Sequence, residues 1–108
     1  MLAPVAAQAH AFLDHASPAV GSTLTTSPVE IRLWFTEAVS PLFSSFSLLD
    51  GAGRPVSADR PRLDPADPRE FVLALPHALP PGRYQVRWRV VSVDTHVTQG
   101  DFRFEIRR

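Results

Sequence analysis

The stretch Gly82-Arg83-Tyr84-Gln85-Val86-Arg87-Trp88-Arg89-Val90 decides the fold class. Tyr84, Val86, Trp88 and Val90 alternate with Gln85, Arg87 and Arg89, the two-residue period of a strand with one buried face. The same period returns in Phe102, Phe104 and Ile106 against Asp101, Arg103, Glu105 and Arg107. It returns again in Val29, Ile31, Leu33 and Phe35 against Glu30, Arg32, Trp34 and Thr36. Weaker candidates cover 11–16, 44–50, 55–58 and 70–75. Eleven prolines and five glycines lie between these runs, so no long segment is left free for a helix. Asp50-Gly51-Ala52-Gly53 and Pro80-Pro81-Gly82 read as turns. The segment 60–69, interrupted by Pro61, Pro65 and Pro68, reads as a surface loop. The expected architecture is all-β, with about seven antiparallel strands in an immunoglobulin-like Greek-key barrel or sandwich.

Composition narrows the function classes. A chain of 108 residues supports one core, expected to span 10–108. Eleven acidic and eleven basic residues cancel, so nucleic acid and membrane surfaces are not the expected partners. No apolar run approaches the roughly 20 residues that span a bilayer, so no membrane insertion is expected. The absence of cysteine removes disulfides, thiolate catalysis and Cys-ligated metal sites.

Ala7-Gln8-Ala9 has the small-x-small pattern after which a secretory signal peptidase cuts. Residues 1–9 therefore read as the tail of a leader, with export to the periplasm and cleavage after Ala9 expected. His10 would become the mature N-terminus, offering a metal its α-amine and its imidazole together. Ser92, Asp94 and His96 are spaced by two, so in an extended segment they project from one face. Asp94 and His96 would add a carboxylate oxygen and a third nitrogen. Such a nitrogen-rich, tetragonal set suits one Cu(II) ion. Because the amine and imidazoles must be deprotonated to bind, copper should be lost below roughly pH 5.

Three stretches together resemble the CopC family of periplasmic copper-binding proteins. They are His10-Ala11-Phe12-Leu13 with Ser17-Pro18-Ala19 and Gly21; Ile31-Arg32-Leu33-Trp34-Phe35-Thr36-Glu37; and 82–92 running into Asp94-Thr95-His96, then Gly100-Asp101-Phe102-Arg103-Phe104. The resemblance implies a Greek-key β-barrel and a Cu(II) site on His10, Asp94 and His96, with a role in copper handling or resistance. It places Glu37 near the copper as an axial or outer candidate. Some members carry a methionine-rich loop that looks like a Cu(I) site. The single methionine here, Met1, leaves no such site, so the chain is similar to Cu(II)-only members. A membrane copper permease of the CopD type is the implied partner, and a monomer is expected.

The other two histidines read differently. His15 falls on the opposite face of an extended strand from His10, and His77 lies in the proline-bracketed loop Pro76-His77-Ala78-Leu79-Pro80; both read as solvated. Arg83, Arg87, Arg89, Arg103 and Arg107 read as a solvated β surface. Trp88 belongs with the core, and Trp34, on the opposite phase, is expected near the metal or a partner. Two competing functions are a copper monooxygenase of the lytic polysaccharide type and a metal-free immunoglobulin-like interaction module. The first needs an open coordination position for oxygen, which Asp94 would fill, and a flat aromatic platform that this short chain lacks.

Overall fold

The computed structural model describes residues 11–108. Eight strands occur in chain order: β1 Leu13–Ser17, β2 Thr23–Leu24, β3 Glu30–Phe35, β4 Ser45–Leu49, β5 Arg62–Asp64, β6 Asp67–Ala74, β7 Gly82–Val91 and β8 Val97–Ile106. They form two four-stranded sheets, ordered β1-β3-β6-β5 and β2-β8-β7-β4. All pairings are antiparallel except β2 with β8, where Thr23 and Leu24 run parallel to Glu105 and Ile106. The fold is the expected all-β sandwich, with eight strands rather than about seven and one parallel contact.

The alternating runs bury the faces assigned to them. Ile31, Leu33 and Phe35 from one sheet meet Tyr84, Val86, Val90, Phe102, Phe104 and Ile106 from the other, joined by Phe46, Leu48, Phe71 and Leu73. Phe46 meets Phe71 edge-on at 5.2 Å, a geometry that adds to plain area burial. Tyr84 keeps its ring in this core because its hydroxyl donates to the Pro80 carbonyl at 2.6 Å. Trp88 is half-buried on the core side and meets Phe35 edge-on at 5.4 Å.

Two expectations are corrected. Segment 60–69 is not a loop but contains β5 and the start of β6, a hairpin turning at Pro65-Ala66. Its prolines sit where a strand tolerates them. Pro61 precedes β5, Pro65 is in the turn, and Pro68 lies before Glu70, where β6 begins to pair with β3. The Asp64 carboxylate accepts the Ala66 amide at 2.8 Å and closes the turn. Conversely, 55–58 forms no strand. Pro55 contributes only a bridge to Leu49, since it has no amide to extend a ladder.

On the outer face of the first sheet, the Arg32 guanidinium bonds Glu30, Glu70 at 2.7 Å and Asp64 at 3.1 Å, tying β3, β5 and β6 together. The Ala66 amide and Arg32 hold the Asp64 carboxyl below the usual carboxylate range.

Candidate metal centre

One end of the sandwich holds Asp94 and His96, two of the residues singled out by sequence. β7 and β8 pair without interruption from Gly82↔Ile106 to Val91↔Val97, so the five residues between them must form a tight hairpin turn. That turn holds Asp94 and His96. The expectation of an extended segment is thereby corrected: Thr95 takes a positive φ of 74°, and its amide donates to the Ser92 carbonyl at 2.8 Å. The reversal lets side chains two apart lean toward each other. Asp94 Oδ2 stands 3.3 Å from His96 Nδ1. Metal–donor bonds of about 2.0 Å at right angles would separate two adjacent donors by roughly 2.8 Å, so small side-chain rotations bring this pair onto one ion.

Ser92 lies beneath the pair. Its hydroxyl donates to Asp94 Oδ1 and accepts the His96 amide at 3.2 Å, while its own amide donates to the His96 carbonyl at 2.9 Å. The Ser92 hydroxyl, with His96 assisting, holds the Asp94 carboxyl below the usual carboxylate range. Both Asp94 and His96 are solvent-exposed, which leaves them accessible to an incoming ion.

The surroundings are held by backbone bonds. The loop after β3 lies along the turn: Val39 bridges Ser92, Ser40 N–H donates to the Val91 carbonyl at 2.8 Å, and Val93 N–H donates to the Ala38 carbonyl at 3.2 Å. Glu37 is exposed in this loop, one residue from the Ala38 contact. The start of the described chain is fixed at the same end. Ala11 is fully buried and its carbonyl accepts the Thr98 hydroxyl at 2.6 Å, while Phe12 and Thr36 exchange backbone and side-chain bonds at 2.8 and 3.0 Å. Thr36, just past β3, and Thr98, in β8, were given no role by the sequence reading because a threonine in either place gives no distinguishing signal. Ser92 did show itself through its spacing from Asp94.

His10 lies outside the described residues. Among those described, no three histidine, aspartate or glutamate side chains gather closely enough to hold a metal. His15 is on β1, stacked on Trp34 with ring centroids 4.4 Å apart, and its Nδ1 lies 2.6 Å from Asp14 Oδ2. His77 is exposed near the start of β7, the far end of a ten-residue strand from the turn.

An all-β sandwich that brings a carboxylate and an imidazole together on the end turn of a hairpin defines a small β protein with its candidate site at one tip. Residues 13–107 match the CopC domain, and the chain belongs to that family. It is similar to the crystal structure of CopC from Methylosinus trichosporium OB3b, with 36% identity and a TM-score of 0.83 over 90% of this chain and 93% of that one. PcoC, a methionine-rich copper resistance protein from Escherichia coli, has 32% identity and a TM-score of 0.82 over 91% of this chain and 99% of that one. The copper transport protein CutJ of Bacillus subtilis is 27% identical over 95% of this chain but only 19% of its own length. The family binds copper and its members are not enzymes, which sets aside the monooxygenase reading and the metal-free module.

Proposed function

We propose that the chain is a periplasmic carrier that sequesters one Cu(II) ion and passes it to a membrane copper permease of the CopD type. The ion is held by the amine and imidazole of His10 after cleavage at Ala9, by Asp94 and by His96, with Glu37 as an axial or outer candidate. The observation that carries this reading is the pairing of two fixed elements at one end. The Ser92–His96 turn presents a carboxylate beside an imidazole, and the Thr98 hydroxyl holds the Ala11 carbonyl two residues along β8 from His96. Ala11 follows His10 directly in the sequence, and its anchoring at this end supports the assignment.

The donor chemistry supports the oxidised ion. Three nitrogens and a carboxylate oxygen match Cu(II), whereas Cu(I) favours soft thioether or thiolate ligands. This chain has one methionine, Met1, in contrast to the methionine-rich PcoC. The permease as recipient is supported by CutJ, a copper transport protein in which the matching region makes up 19% of the length.

The test is a competitive Cu(II) titration with electron paramagnetic resonance on protein that begins at His10, on the uncleaved chain and on the His96→Ala variant. One tight site with a tetragonal, nitrogen-rich spectrum, weakened in both altered forms, is expected. Equal affinity of cleaved and uncleaved protein would remove the amine from the ligand set, and an unchanged His96→Ala titration would remove the site.

A further inference from the structure

We infer that Ser92 is a positioning residue that makes Asp94 a one-oxygen ligand and thereby helps the site select copper. The inference rests on the proposed site at Asp94 and His96.

Ser92 is the one fully buried polar side chain among the described residues, with 1% of its surface exposed, directly beneath a turn whose other side chains face solvent. Burying a hydroxyl there costs free energy unless its bonds are made. A hydroxyl has a single hydrogen to donate. Two acceptors lie within reach, Asp94 Oδ1 and the His96 carbonyl at 3.3 Å. The His96 carbonyl is already satisfied by the Ser92 amide at 2.9 Å, and the Asp94 contact is the shorter one, so the hydrogen goes to Oδ1. Its lone pairs remain for the His96 amide at 3.2 Å. One side chain thus fixes the orientation of one donor group and the backbone of the other.

The consequence is chemical. With Oδ1 engaged by Ser92, Oδ2 is the oxygen turned toward His96 Nδ1, 3.3 Å away. A metal arriving there meets one carboxylate oxygen beside nitrogen. That suits a tetragonal Cu(II) plane. A carboxylate free to chelate through both oxygens suits larger, oxygen-seeking cations instead. Without the hydroxyl, Asp94 is free to rotate into the chelating mode or out to solvent, and the His96 amide loses its partner.

The experiment compares Ser92→Ala, Ser92→Thr and His96→Ala with the parent, all beginning at His10, using Cu(II) and Zn(II) competition titrations, electron paramagnetic resonance and thermal unfolding. Loss of a group that orients a ligand costs about 10–100-fold in metal affinity. Ser92→Ala is expected to lose that much for Cu(II), to lose less for Zn(II) and to shift the copper spectrum, with Ser92→Thr restoring both. A role in folding alone would lower the unfolding temperature and leave the spectrum of bound copper unchanged. Should Ser92→Ala fold poorly, Ser92→Gly, which also lacks the hydroxyl and adds no metal ligand, replaces it and is expected to show the same spectral shift. Parent-like Cu(II) affinity and spectrum in the variant lacking the hydroxyl, while His96→Ala has lost binding, overturn the role of Ser92 and leave the site intact. Parent-like binding in His96→Ala overturns the site and this inference with it.

Discussion

Two aspartate–histidine pairs lie among the described residues, and the closer one is not the candidate site. Asp14 and His15 are 2.6 Å apart, whereas Asp94 and His96 are 3.3 Å apart. Neighbouring residues on a regular strand point to opposite faces. Asp14 and His15 meet because the β1–β3 register slips between Leu13 and His15, leaving Asp14 without a cross-strand partner. The His15 ring then lies flat on Trp34, with 11° between the planes. Asp94 and His96 instead sit on a turn closed by bonds among Ser92, Thr95 and His96, against a loop and a chain start fixed to the same strands. Proximity of donor types does not make a binding site. The second pair differs from the first in the bonds that fix the backbone carrying it.

The most direct way to break this contrast is to remove the imidazole from the second pair. His96→Ala is expected to reduce Cu(II) affinity by more than the roughly 100-fold upper cost of losing an outer-shell partner, because a direct ligand goes. Competitive titration reads it. A loss under tenfold would put the two pairs on the same footing.

Acidification sharpens the same point. Asp94 is held below the ordinary carboxylate range, chiefly by the Ser92 hydroxyl, so it stays ionised to lower pH than an ordinary aspartate. Copper binding needs deprotonated donors, so affinity falls as pH falls. Protons compete with copper for the amine and imidazole nitrogens, so the loss should be extensive below roughly pH 5. Copper occupancy followed across a pH series checks this. Retention down to about pH 4 would assign binding to carboxylates rather than imidazoles.

The frame of the second pair was largely legible in the sequence; the turn geometry was not. Alternation in 84–90 and 102–106 located β7 and β8 because each buries one face and solvates the other. The spacing of Ser92, Asp94 and His96 was visible too. An extended reading of it failed because nothing in Asp94-Thr95-His96 announces that a threonine will take positive φ. The first pair was legible only as exposed, since a slipped register depends on cross-strand packing and leaves no periodic mark. β2, two residues long, is too short to show a period, and β5 hid among prolines that happen to occupy tolerated positions.

Stability of the hairpin can be tested separately from its ligands. Gly100 lies opposite Trp88 in the β7–β8 ladder, and a Cβ there would fall 2.6 Å from a carbon of the indole ring. Trp88 packs edge-on against Phe35, so its ring must shift against that contact to make way. Gly100→Ala is therefore expected to lower the unfolding free energy by about 1–3 kcal/mol, the usual cost of overpacking. Denaturant titration measures it. An unchanged midpoint would mean that the rigidity of the second pair's hairpin does not depend on Trp88 packing.

The smallest effect should come from the first pair, and this makes it the most exacting check on the contrast. His15→Ala removes a ring stacked on Trp34 on an exposed face, and an aromatic pair of this kind contributes about 0.5–1.5 kcal/mol when well packed. With the His15 side chain 58% exposed, the lower end of that range is expected. Thermal unfolding should shift little, while Trp34, freed of its neighbour on one face, should change its fluorescence. Cu(II) affinity should stay within about twofold, because among the described residues the slipped strand gathers only one imidazole and one carboxylate, short of a tetragonal set. If His15→Ala weakened copper binding as strongly as His96→Ala, the two pairs would have to share the ion. The distinction between a pinned turn and a slipped strand would then lose its functional meaning.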